Sequence, residues 1–432
     1  MTLETGSGPE RRAVGIAFVC NFVLLGSYYI LRPVRDTVAT VVGVGHLQEL
    51  FSATFVGTIL ASALYAALAS RIRLSRLLPG VFWFWLLNLS FFALMFQMVP
   101  DSRWLGAGYY VWFSVVNLFM VSVFWSLMVD VFAPQQATRW FALIAAGGAL
   151  GAIAGPLATR ALVRTMGLGG LMMLAACGFA LVIVLVHLLM RQKDSLRHDL
   201  GQSSSLDRVL RGSAFDGFSR LLRSRYFLNQ AAFMLLMTWV NTIAYFCQTD
   251  LVARSYSSIA DRTRAIADID LVVNTCTAAI LLLGLGRFMR RFGVTASLVL
   301  NPILMVMAFA ATALSPTLLM IQALQIVRRV AQYAIARPSR EVCFTVVEQS
   351  SRYKTKSVID TVVYRFGDVS SAWVQTGITS LGYGLEGAVL LGISMSIGWG
   401  AVALSLGHRY ERAREGMLPA EAGTLTPAIS AR

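Results

Sequence analysis

The chain has 432 residues, of which 56% are hydrophobic and 14% charged. Soluble domains carry about 25% charged residues, so this composition excludes a soluble globular protein and marks a polytopic membrane one. The formal net charge of +15 lies largely in loops between apolar stretches. That is the signature of membrane topology, and it argues against nucleic-acid binding.

A spanning helix needs about 20 predominantly apolar residues. Twelve segments qualify: 13–41, 46–70, 77–99, 105–132, 138–163, 168–190, 226–252, 266–289, 294–313, 316–340, 358–383 and 386–407. Basic clusters alternate with them. Arg11 and Arg12 precede the first span, and Arg71, Arg73 and Arg76 follow the second. Arg139 follows the fourth, and Arg287, Arg290 and Arg291 close the eighth. Arg352, Lys354 and Lys356 follow the tenth, and Arg409, Arg412 and Arg414 follow the last. With twelve spans every cluster falls on one side, so both termini are expected in the cytoplasm and the chain in the inner membrane. The Arg11-Arg12 pair and the apolar run after it resemble a signal sequence. The run lacks a small-residue cleavage site and exceeds signal-peptide length, so it reads as a first helix.

The polar linker 191–225, with eight basic residues, divides the chain. It separates an N-terminal six-helix bundle, 1–190, from a C-terminal one, 226–407, which is followed by a cytoplasmic tail, 408–432. The halves echo each other. Asp36-Thr37-Val38-Ala39 is answered by Asp250-Leu251-Val252-Ala253, and amphipathic segments at Gln135–Arg139 and Gln349–Arg352 occupy matching loops. Two parallel six-helix repeats around a central pathway are the architecture of the major facilitator superfamily. The expected fold is therefore all-α, with twelve transmembrane helices in two pseudo-repeats.

Charges inside such spans cost roughly 2.5–3.5 kcal/mol each on insertion scales, so they are paired, solvated or used. In the first span Arg32, Arg35 and Asp36 stand at i, i+3 and i+4 and share a helical face. Pro33 loosens the backbone there. Two guanidiniums facing a cavity would grip phosphate oxygens through their planar forks, with Asp36 able to pair with one of them. In the tenth span Arg328 and Arg329 have no acid within a helical turn, whereas Arg337 and Glu341 are spaced for an intrahelical pair. Arg340 lies in the same exit segment. The eleventh span carries Asp360, Arg365 and Asp368, the last two at i, i+3. Lys354 and Lys356 read as rim residues snorkelling to the interface. Asp268 and Asp270 are expected near an outer boundary and solvated, which leaves Asp250 as the better interhelical partner.

Other chemistry is not indicated. Gly147, Gly148 and Gly151 precede no GK[ST], and the spacing of Gly147, Gly151 and Gly155 reads as close helix packing. The cysteines Cys20, Cys177, Cys247, Cys276 and Cys343 are scattered packing residues, and the four histidines form no ligand motif. The expectation is a non-enzyme with no metal and no cofactor.

The segments SYYILRPVRD, FWSLMVDVFAPQQATRWFALIAAGGALGAIAGP and ARPSREVCF…KTKSVIDTVVYRFGD resemble the bacterial and plastid ATP/ADP translocase family. The likeness is strongest over 333–375, where Pro338, Ser339, Arg340, Glu341, Lys354, Lys356, Asp360, Arg365 and Gly367 fall on the family's PT[KR]E and K.K..[ID]D…R.G elements. Arg35 stands where the family is expected to have lysine, and Tyr110–Phe124 lacks its expected fourth-span acid. The resemblance implies exchange of nucleoside phosphates by alternating access, without hydrolysis or cofactor. The expected substrate is a small anion, a nucleotide or organic phosphate, met by Arg32, Arg35, Arg328, Arg329 and Arg340. Asp36, Asp250, Glu341, Asp360 and Arg365 would supply pairing and gating charges in a monomer embedded in the bilayer. Proton-coupled carriage of another organic anion or lipid-linked precursor, and a non-transporting receptor or assembly subunit, are the alternatives.

Overall fold

The computed structural model describes residues 8–71, 74–99, 102–198, 214–347 and 355–416. Arg73, Arg208, Arg211, Arg352, Lys354 and the segment Gln349–Arg352 lie outside the described residues, as does most of the tail. The described chain is almost entirely helical. The first four spans are α1 (Gly8–Val42), α2 (Leu47–Arg71), α3 (Leu74–Met98) and α4 (Arg103–Val131). A continuous stretch Pro134–His198 turns at Gly167, whose φ of 63° suits glycine, and thus holds two spans, α5 (134–166) and α6 (168–198).

A short helix, Ala214–Arg223, precedes α7 (Arg225–Ser255), α8 (Ile259–Leu283) and α9 (Leu285–Leu314), the last turning at Gly293. The tenth span, α10 (318–343), contains a π turn at Gln332–Ala336. A second π turn, Ile359–Val363, opens α11 (Tyr364–Ser380), and α12 (Gly384–Arg414) follows. Among the described residues nine stretches are long and apolar enough to cross a membrane, one of them, Arg139–Gln192, holding two spans. The π turns break the tenth and eleventh spans into shorter pieces, and with these the count is the expected twelve.

The described residues form two compact units. Unit 1 comprises Met1–Gly43, Val56–Leu210 and Tyr256–Asn274, and unit 2 comprises Val44–Phe55, Arg211–Ser255 and Thr275–Arg432. Each unit thus takes in the opening of the second helix of the opposite sequence half, and the side chains show why.

In unit 1, α1 packs against α5 through the glycine seam. A Cβ on Gly147, Gly151 or Gly155 would collide with the backbone oxygens of Phe18, Phe22 and Gly26 respectively. This close backbone approach is the packing that the four-residue spacing predicted. Asn21 adds a buried hydrogen bond to the Ile144 carbonyl at 2.9 Å. The first half of α8 is tied to both helices. Arg160 pairs with Asp268 at 3.2 Å and Arg164 with Asp261 at 2.9 Å, while Asn274 donates to the Ala152 carbonyl at 2.6 Å. On the α1 side Thr37 donates to Thr263 at 2.9 Å and Arg262 to Thr40 at 3.2 Å. The helix therefore begins at Ile259, seven residues before the expected 266. Charges that look like a loop in sequence are satisfied by neighbours.

Unit 2 builds its core from α7, α9, α10 and α12, with Phe233 edge-on to the buried Trp399 at 5.4 Å. The opening of α2 joins this unit by neutral contacts. Thr376 donates to Gln48 at 3.1 Å, Trp373 donates to Ser52 at 3.0 Å, and Phe51 meets the rings of Tyr245 and Phe246.

Candidate functional site: two sets of buried arginines

In unit 1 the site is built around Pro33. Proline has no N–H, so the carbonyl four residues back loses its helical donor and the turn is loosened. Side chains of neighbouring helices brace this turn: Tyr109 of α4 donates to the Leu31 carbonyl at 3.3 Å and Thr159 of α5 to that of Ile30 at 3.4 Å. This fixes the turn from which Arg32 and Arg35 project. Arg35 forms a two-point contact with Asp36, Nε at 2.9 Å and a terminal nitrogen at 2.5 Å, and its guanidinium lies 5.4 Å from the Tyr110 ring centroid. Arg32 lies 3.9 Å from Asp270 and 5.8 Å from the Tyr29 ring centroid. The side chains of Arg32 and Arg35 are only 11% and 16% exposed.

Asp270 corrects the sequence expectation. It is fully buried, not solvated at an outer boundary, because the first half of α8 is bonded to both α1 and α5. Asp268, two residues earlier, does face outward and pairs with Arg160. Asp250 is corrected too. Among the described contacts it bonds Arg254, one turn along its own helix, at 2.9 Å and makes no interhelical pair.

In unit 2, α10 carries both Arg328 and Arg329 into buried positions, before the π turn. Arg328 is oriented by amide oxygens: Gln325 at 2.9 Å, Asn241 of α7 at 3.0 Å and Gln332 at 3.5 Å. Amide oxygens direct a guanidinium without cancelling its charge. Gln325 and Gln332 stand at i−3 and i+4 from Arg328, a signal present in the sequence, whereas Asn241 could be found only in the fold.

Beyond the π turn Arg340 is buried and lies 2.6 Å from Asp360, which sits within the other π turn. The contact is a close ion pair. Wide π turns are frequent at functional sites because the extra residue re-aims the side chains after it.

Glu341 does not take Arg337 as its partner. It pairs with Lys356 at 2.5 Å and more distantly with Arg340 at 3.8 Å, while Arg337 lies over the Tyr333 ring at 5.0 Å. Lys356 is therefore an ion-paired residue and not simply a snorkelling one. Arg365 and Asp368 pair at 3.5 Å as their spacing suggested.

Each unit also contains a cavity. One of about 470 Å³ in unit 1 is lined by Gln97, Arg164, Gly167 and Ser258 among others. One of about 410 Å³ in unit 2 is lined by Asp250, Arg254, Gln375 and Thr376 among others. Neither includes Arg32, Arg35, Arg328, Arg329 or Arg340 in its lining. No metal-binding cluster of His, Cys, Asp or Glu occurs among the described residues.

No protein-family model matches the chain, and no curated protein matches it in sequence. Solved structures do match it over nearly its whole length. A bacterial homologue of the human lysosomal transporter Spinster is 14% identical, with a TM-score of 0.57, covering 95% of this chain and 98% of its own. The nucleoside transporter NupG is 15% identical, with a TM-score of 0.60 and coverage of 94% and 99%. A POT family transporter crystallised with a conjugated peptide is 12% identical, with a TM-score of 0.62 and coverage of 92% and 96%. The chain is a multi-pass membrane protein with the twelve-helix fold of the major-facilitator-like transporters.

Proposed function

We propose that this protein is a secondary transporter of small organic anions, nucleotides or related organic phosphates, working by alternating access in the inner membrane. The observation that carries the reading is the burial of arginines within apolar spans. Arg328, Arg329 and Arg340 are buried, and the side chains of Arg32, Arg35 and Arg365 are no more than 16% exposed. Arg32 lies beside Asp270, and Arg35, Arg340 and Arg365 pair with Asp36, Asp360 and Asp368. Planar guanidiniums at membrane depth suit phosphate, which offers several oxygens to bidentate donors.

The motif likeness over 333–375 and a structural neighbour named as a nucleoside transporter support the nucleotide class. Within each unit, anion binding competes with an ion pair, at Arg35 with Asp36 in unit 1 and at Arg340 with Asp360 in unit 2, so that substrate replaces a carboxylate. Such exchange needs neither hydrolysis nor a cofactor, and a monomer suffices.

The test is uptake of labelled ATP, ADP and other nucleotides into proteoliposomes, with and without nucleotide inside. Saturable uptake stimulated by internal nucleotide supports exchange. Absence of uptake, and of nucleotide-induced thermal stabilisation in the same preparation, rejects the nucleotide reading.

A further inference from the structure

Within the linker, the sequence AFDGFSRLLR forms the helix Ala214–Arg223. At about 100° per residue, Leu221, Phe218 and Leu222 fall within one arc of roughly 100°, while Ser219 and Arg223 turn away from its centre. The arc is used unevenly. Leu221 is buried in the core of unit 2 with Tyr226 and Phe227. Phe218 and Leu222, one turn apart, are 48% and 58% exposed. Arg223 and Arg225 are exposed beside them, and α7 begins at Arg225 with an outward Leu228 three residues further on. The exposed apolar pair thus directly precedes a membrane-spanning helix in the chain, with the exposed Arg223 and Arg225 between them.

We propose that this helix lies in the headgroup plane of the adjacent leaflet as an interfacial anchor, with Phe218 and Leu222 inserted and Arg223 and Arg225 binding anionic lipid phosphates. A short amphipathic helix with a basic border seats its apolar face about 5–10 Å into the headgroup and acyl boundary. The continuity with α7 and the basic linker select a lipid surface over a protein partner. Leu221 fixes the helix to unit 2, so its attachment to the leaflet sets the level at which α7 enters the bilayer.

The test uses nitroxide labels on the full chain in nanodiscs, with Cys177 and Cys276 replaced by serine and the three buried cysteines retained. Phe218→Cys and Leu222→Cys are compared with Ser219→Cys for collision with oxygen and with a water-soluble nickel chelate. The expected result is oxygen access at 218 and 222 and nickel access at 219. The depth should be greater in phosphatidylglycerol than in phosphatidylcholine discs.

The double change Arg223→Gln, Arg225→Gln should weaken the preference for phosphatidylglycerol by about fivefold per arginine. Equal nickel access at all three positions overturns the proposal. So does protection of 218 and 222 from both reagents, which would indicate a protein cover. A phosphatidylglycerol preference unchanged by loss of both arginines overturns the charge part of it.

Discussion

The two units hold their arginines by different mixtures of groups. In unit 1, Arg32 and Arg35 face carboxylates, Asp270 and Asp36. In unit 2, Arg340 and Arg365 likewise face carboxylates, Asp360 and Asp368, while Arg328 meets the amide oxygens of Gln325, Asn241 and Gln332. A carboxylate stabilises a buried guanidinium by charge and must be displaced before an anion can bind. An amide fixes its direction and offers a bound anion no competing negative charge. The amides thus add direction in unit 2: three of them aim Arg328, whereas Arg32 and Arg35 are held by charge.

The largest effect that would break this comparison is expected at Asp270. Removing one member of a buried ion pair leaves an uncompensated charge and costs about 3–5 kcal/mol. Asp270→Ala should therefore lower the thermal unfolding midpoint of the detergent-solubilised protein markedly. The double variant Arg32→Gln, Asp270→Asn should regain much of the loss; no recovery would mean that the pair is not the stabilising element. Asn241→Leu should do less, about 1–3 kcal/mol, because it strips a hydrogen bond from Arg328 and not a counter-charge. A loss as large as that of Asp270→Ala would erase the distinction drawn here.

Function sharpens the contrast further. Loss of a charge-assisted contact is worth about 1.5–3 kcal/mol, or about tenfold or more in affinity. Arg35→Gln and Arg328→Gln should each weaken substrate binding by about that factor in a competition assay. Arg328→Lys should recover little, since a point charge cannot use three amides arranged for a planar fork. The smallest effect is expected at the exposed pair Arg164–Asp261, where Arg164→Gln should change stability by no more than about 1 kcal/mol.

Much of the fold was legible in the sequence because apolar length and basic loops report the bilayer directly. The glycine spacing of α5 also told the truth about its packing on α1. What escaped was tertiary satisfaction. Asp261 and Arg262 fall in a loop by the expected span 266–289, and Asp270 at a solvated boundary, until Arg164, Thr40 and Arg32 are placed beside them. Local spacing found Arg365–Asp368, because both partners lie on one helix. It missed Arg32–Asp270, whose partners lie on different helices, while Asp360, expected to pair with one of the arginines, does so with Arg340. It also gave Arg337 to Glu341, which Lys356 occupies from across a turn. The two π turns left no readable mark, although they position Arg340 and Asp360.

The most direct measurement is equilibrium binding of labelled ADP to the purified protein, with pyrophosphate as competitor, in wild type, Arg35→Gln and Arg328→Gln of matched helical content. The account predicts saturable binding that pyrophosphate displaces and that both substitutions weaken by about tenfold or more. Binding equal in all three proteins, or insensitive to pyrophosphate, would contradict a phosphate-gripping role for the buried arginines.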